Sequence, residues 1–202
     1  MPVAATPTST STPGPVGVGL ARIFQRTEGE VCALAWSPGG QRLTVGMYDS
    51  ATLGFWYVDS GARQPTIAVD AVPCPFAWSP DGQTLATTGA NNTIRFLNAD
   101  GSLRGTLLIG HSAYVRALAW SPDGKILASG SQDTTIRLWN SDGSARELPL
   151  AGHTWAVNSL SWSPDGRSLA SASDDGTVRL WHLDRVAAFT VASSACTSFV
   201  MR

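Results

Sequence analysis

The chain has 202 residues, a formal net charge of −1 and only 14% charged side chains. Charge this sparse and balanced leaves no broad field to draw nucleic acid or an anionic membrane surface. The three cysteines are widely spaced and lack a C-x-x-C pair, which argues for a reducing, cytoplasmic setting with no disulfide framework. Residues 1–19, rich in Pro, Thr, Ser and Gly, hold no charged side chain. They lack the basic start and apolar core of a secretory signal and read as a disordered linker. No apolar run is long enough to span a bilayer. Residues 20–202 read as one array, opening on a short β-like run at Leu20–Arg26.

Within the array, apolar and β-branched runs alternate with turn signals. The first group of predicted strands is Val31–Trp36, Arg42–Met47 and Thr52–Val58, with an outer strand near Gln64–Val69. The second is Cys74–Trp78, Thr84–Thr88 and Thr93–Leu97, with an outer strand near Arg104–Ile109. The third is Val115–Trp120, Lys125–Ser131 and Thr135–Trp139, with an outer strand near Glu147–Leu150. The fourth is Val157–Trp162, Ser168–Ser173 and Thr177–His182, with an outer strand near Ala187–Ala192. Ser-Pro-Asp-Gly punctuates most groups: proline presets the turn, and glycine accepts the positive φ that closes it.

The groups are copies of one another. Trp36, Trp78, Trp120 and Trp162 each stand directly before Ser-Pro and recur 42 residues apart. Trp181 follows Trp139 by the same interval, and Gly152-His153 follows Gly110-His111 likewise. A fixed period between about 20 and 50 residues signals stacked supersecondary units.

These motifs make the chain similar to the WD-repeat β-propeller family. The matching features are Gly-His, Ser-Pro-Asp-Gly, Leu-Ala-Ser-x-Ser-x-Asp and a third strand ending in Arg-Leu-Trp. The resemblance implies an all-β fold of four four-stranded antiparallel blades. The repeats fall at about 22–58, 65–98, 106–140 and 148–182, followed by an outer strand and degenerate tail at 183–202. Repeats three and four match apart from the closing Asp, which is Asn140 and His182 here. Repeats one and two have drifted, with Thr27 and Val69 where the His belongs. In the family the first strand often completes the last blade, so Leu20–Arg26 is a candidate closing strand. Near Phe199 the chain holds either a degenerate scrap of repeat or the edge of a gene fragment.

His111, Ser129 and Asp133, then His153, Ser171 and Asp175, are residue types that can form a nucleophilic triad. The resemblance gives them another role. With Trp139 and Trp181 they would form hydrogen-bonded tetrads that fix strand spacing, and recurrence at the repeat interval suits scaffolding better than one active site. Asp174-Asp175-Gly176 reads as a tight turn rather than a cation loop. Cys32 and Cys74, also 42 apart, read as repeat inheritance rather than a metal site. Asn91-Asn92-Thr93 is a glycosylation sequon by letter only. No catalytic residue, metal or cofactor is assigned.

The resemblance also implies a working face, built from loops entering the inner strands and turns after the second strands. By position these are Glu30, Cys32 and Tyr48, then Val72, Cys74 and Ala90. Tyr114, Arg116 and Gln132 follow, then Trp155, Ala156, Asn158 and Asp174. Tyr and Arg are frequent interface anchors, which favours Tyr48, Tyr114 and Arg116. The function this implies is a non-catalytic scaffold for other proteins or peptides, with no nucleic-acid or membrane partner. The alternative is a regulatory or sensor module, or a gene fragment, of a larger WD-repeat signalling protein such as a kinase or NTPase. Four blades leave closure open between a head-to-tail homodimer, a piece of a longer propeller and a small closed propeller.

Overall fold

Each Ser-Pro-Asp-Gly segment folds into a tight hairpin turn, and the turns set the blades. Around Ser121 the Asp123 carboxylate accepts from the Ser121 hydroxyl at 2.6 Å and from the Lys125 amide at 3.1 Å. The Gly124 amide reaches the Ser121 carbonyl at 2.9 Å, with Gly124 at φ 70°. The same arrangement recurs at Ser79-Asp81 and at Ser163-Asp165. In the first repeat Gly39 replaces the Asp, and the turn loses the carboxylate bonds but keeps those from the Gly40 amide to the Ser37 carbonyl and from the Arg42 amide to the Ser37 hydroxyl oxygen.

The structure, a computed structural model, describes residues 30–183. It is nearly all-β, with antiparallel sheets arranged as the four blades of a β-propeller. Blade one orders β1 (Val31–Trp36), β2 (Arg42–Met47), β3 (Thr52–Tyr57) and β4 (Ile67–Ala68). Blade two orders β5 (Phe76–Trp78), β6 (Thr84–Thr88), β7 (Ile94–Asn98) and β8 (Leu103–Leu108). Blade three orders β9 (Val115–Trp120), β10 (Ile126–Ser131), β11 (Ile136–Asn140) and β12 (Ala145–Leu150). Blade four holds β13 (Val157–Trp162), β14 (Ser168–Ser173) and β15 (Val178–His182). The expected outer strand near Ala187–Ala192 lies outside the described residues, as do the linker, Leu20–Arg26 and the tail.

Two strands differ from expectation for local reasons. The outer strand of blade one shrinks to Ile67–Ala68, with a separate bridge from Trp56 to Arg63. β5 begins at Phe76 rather than Cys74, because Pro75 has no N–H to give the ladder. After β6 the turn is a 3-10 segment, Ala90–Asn92, in which Asn91 and Asn92 take positive φ of 56° and 62°. Asparagine tolerates that conformation better than other non-glycine residues.

Most of the core lies between blades, with a smaller buried cluster of Val45, Met47 and Trp56 on blade one alone. Ile94 and Phe96 on the trailing face of blade two pack on Val115, Trp120 and Trp139 on the leading face of blade three. Leu53 and Phe55 pack likewise on Phe76, Trp78 and Leu97. Ala128 and Ile136 pack on Val157 and Leu169. The inner-strand Trp of blades two, three and four also finds a polar partner across the seam, which a buried indole N–H requires. Trp120 donates to the Ala77 carbonyl at 3.2 Å and Trp162 to the Ala119 carbonyl at 3.0 Å. Trp78 donates to the Thr44 hydroxyl at 2.9 Å.

The cysteine expectation needs correcting. The structure joins Cys32 and Cys74 in a disulfide, their Cα atoms 6.1 Å apart. The repeat accounts for the meeting: both residues occupy the same entry position of adjacent blades, where the innermost segments converge.

Candidate functional site

In blade three, the loop before β9 brings His111 against β10 and the turn that follows it. His111 Nδ1 lies 2.8 Å from Asp133 Oδ2, and Nε2 lies 2.8 Å from Ser129 Oγ. The Trp139 indole donates to that same Oγ at 2.8 Å. An ionised carboxylate only accepts, so Nδ1 carries the proton toward Asp133. Nε2 is then the acceptor, and the Ser129 hydroxyl donates to it while accepting from Trp139. Blade four repeats the pattern: His153 lies 2.8 Å from Asp175 and 2.7 Å from Ser171, and Trp181 donates to Ser171 at 2.9 Å.

These distances would suit a nucleophilic triad, and burial decides the matter. Ser129 is 0% exposed and Ser171 1% exposed, so no substrate carbonyl can reach either hydroxyl. Each Asp also accepts backbone amides, Asp133 from Ser112 and Thr135, and Asp175 from Thr154 and Thr177. The group therefore ties the incoming loop to the β10–β11 or β14–β15 turn.

Drift in blades one and two has physical consequences at the equivalent positions. In blade two Thr87, Val69 and Leu97 stand where Ser129, His111 and Trp139 do, and the buried Thr87 hydroxyl has no hydrogen-bond partner. Blade one replaces the polar centre with an apolar cluster of Val45, Met47 and Trp56.

Burial lowers the affinity of His111 for a proton below its ordinary 6.5, although Asp133 opposes this. Burial alone would raise Asp133, but hydrogen bonds from Thr135 and His111 hold its carboxyl down at about 2. Asp175 is likewise lowered, chiefly by the Thr177 hydroxyl. In all three groups the unfolded chain binds the proton more readily, so stability rises with pH. The melting temperature is expected to fall as pH drops below 6.5 and His111 is drawn to charge. It should fall further from 3.8 toward about 2, as Asp133 is drawn to protonate. Melting curves across this range check the expectation, and a flat profile contradicts it.

The residues assigned to a working face lie in loops and turns or, for Cys32, Arg116 and Asn158, at the second residue of an inner strand, and backbone bonds tie the loops to the turns. The Tyr48 amide donates to Glu30 O, Gln132 to Tyr114 O and Asp174 to Ala156 O, all at 2.8–3.0 Å. Cys32, Tyr48, Val72, Cys74, Ala90, Tyr114, Arg116, Gln132 and Asn158 line one cavity of about 870 Å³. Glu30, Trp155, Ala156 and Asp174 do not line it, and Ala156 is buried. Tyr48, Tyr114 and Trp155 are exposed. Arg116 is engaged by blade four: it donates to Asn158 Oδ1 at 3.1 Å and lies 3.5 Å from Asp174, which Asn158 also contacts.

Sequence reasoning missed Pro75, Thr88, Asn91 and Asn92, which line the same cavity. The double Asn was their one visible signal, since Asn91 stands where the corresponding turn of blade three has Asp133. Among the described residues, no group of three or more His, Cys, Asp or Glu is placed to hold a metal ion. Nor is any helix there long and apolar enough to cross a membrane.

Comparison with known proteins agrees with this architecture. A family model described as WD domain, G-beta repeat matches residues 20–56, 73–98, 101–140 and 145–182. A search of curated proteins finds no match. Among solved structures, "Structure of U3-55K" is similar with a TM-score of 0.72 and 25% identity, over 81% of this chain and 52% of that one. The chain therefore spans about half the length of that structure. In all, 1490 solved chains match, so likeness of fold selects no single function. The family model covers more than half of the residues, and the chain belongs to the WD domain, G-beta repeat family.

Proposed function

We propose that this chain is a non-catalytic scaffold that binds an extended segment of another protein across the loop face of its propeller. The observation that carries this reading is the cavity of about 870 Å³. Its wall combines apolar surface from Val72 and Pro75 with the exposed ring of Tyr114 and the polar groups of Arg116, Gln132 and Asn158. Apolar cover with a few convergent polar groups is the usual make-up of a binding site. The sealed serines described above support a scaffold rather than a hydrolase. Proteins or peptides are the proposed partners at this face, and a second copy of the chain is the proposed partner at the two ends of the array.

Peptides selected from a random displayed library against the purified chain provide the probe. Tyr114→Ala with Arg116→Ala is expected to leave the β spectrum intact and weaken those peptides by about tenfold or more, as loss of anchor residues does. Peptides that bind the double variant as well as wild type would place the site elsewhere. The same face would serve a second reading, in which the array is the sensor module of a larger signalling protein such as a kinase or NTPase. The observation favouring it is that the chain spans only 52% of U3-55K.

A further inference from the structure

The seams between blades two and three and between blades three and four follow one rule, from which the first seam departs in that Trp78 donates to the Thr44 hydroxyl. A leading face presents Val, Leu and Trp from an inner strand. A trailing face presents a β-branched residue at the start of the third strand, an apolar residue two positions on, and an inner-strand carbonyl. In the last two seams Trp120 meets Ala77 O and Trp162 meets Ala119 O, so donor and acceptor both advance by one repeat. Inside the array Trp120 is 9% exposed, Ile94 and Ile136 are both 0% exposed, and Leu138 and Trp162 are half-buried.

At the two ends the inner-strand and third-strand positions of this rule stand open, although Val45, Met47 and Trp56 farther out on the leading face of blade one are buried. Trp36, on the leading face of blade one, is 55% exposed, with Val31 and Leu34 exposed beside it. Val178, on the trailing face of blade four, is 75% exposed, with Leu180 exposed beside it. Ser161, the blade-four counterpart of Ala77 and Ala119, is also exposed. Large apolar groups clustered this way mark an interaction surface rather than scattered exposure.

We propose that a second copy of the chain covers both ends, head to tail, through a seam that continues the interior ones. Trp36 of one copy packs on Val178 and Leu180 of the other, and its indole N–H donates to the Ser161 carbonyl. One chain carries both halves of the seam, which is the requirement for a heterologous contact. Two copies then form two identical seams and an eight-blade ring, within the range of about four to eight that propellers adopt. This deepens the second-copy partner named above and does not depend on peptide binding at the loop face, whose variants touch neither end.

The test is native mass by light scattering behind a sizing column, for wild type, Leu34→Asp and Val178→Asp. Both positions are exposed, so each variant should keep the wild-type β spectrum. Trp36→Gln and Leu180→Asn form a second pair should either of the first misfold. Wild type is expected at twice 21.2 kDa. Each variant alone carries a defect in both seams and should dissociate about 30-fold or more readily, as loss of a central contact residue implies. Mixing a leading-face variant with a trailing-face variant leaves one seam wholly wild type, so the mixture should regain the doubled mass. Four results would overturn the proposal: a monomeric wild type, variants that stay dimeric, mixtures that stay monomeric, or a wild type that grows into an open series of larger masses.

Discussion

Trp139→Ala is expected to lower stability by about 3–5 kcal/mol, the cost of emptying a large buried aromatic site. The ring is 1% exposed and packs in the seam between blades two and three beside Phe96 and Trp120. It also stands edge-on to His111, with ring centroids 6.4 Å apart. Removing it opens a cavity in the seam and strips Ser129 of a donor. Because each seam joins neighbouring blades, the loss should lower the urea midpoint of the whole array rather than fray one end. A cost below about 1 kcal/mol would mean that the seam is not what holds blade two to blade three.

Ser129→Ala deletes only one oxygen, yet it should cost about 1–3 kcal/mol for each buried group left unpaired. Two groups depend on that oxygen: the Trp139 N–H donates to it, and His111 Nε2 accepts from it. Ser144→Ala is the control. Ser144 is exposed and bonds only its local turn through Asp142 and Asn140, so it should change stability by less than about 0.5 kcal/mol. Trp139→Phe combined with Ser129→Ala completes a double-mutant cycle, with an expected coupling of about 0.5–3 kcal/mol for groups in one network. Zero coupling would show that the hydroxyl and the indole act independently.

The blades were legible because the repeat is written in residues whose chemistry is local. Ser-Pro-Asp-Gly closes its own turn, and period-2 runs beside it have one way to pair. Strand ends were less legible where a single residue overrode the pattern, as Pro75 did at β5. The polar groups around His111 and His153 were visible as residue types, but their burial was not. That burial separates scaffold from triad, and it depends on the neighbouring blade. The Cys32–Cys74 bond was missed for a similar reason. The 42-residue spacing was read as inheritance alone, whereas in a ring of blades it also places equivalent inner positions side by side. Thr87 shows the reverse case: its orphaned hydroxyl follows from Val69 and Leu97, which the sequence displays openly.

The tetrads and seams hold the blades rigid, while Tyr48 and Tyr114 stand clear of them on loops at the cavity rim. Scaffold and proposed function are thus assigned to different residues, as expected where binding sits on loops carried by a stable frame.

The claim that this face is the working surface is tested most directly by amide hydrogen exchange, with and without a peptide selected against the chain. The account predicts slower exchange at the loops entering β1, β5 and β9, around residues 30–32, 72–75 and 112–116, and no change along β8 and β12. Protection confined to β8 or β12 would mean that the peptide adds a strand to an outer blade edge, and the proposed face would be wrong.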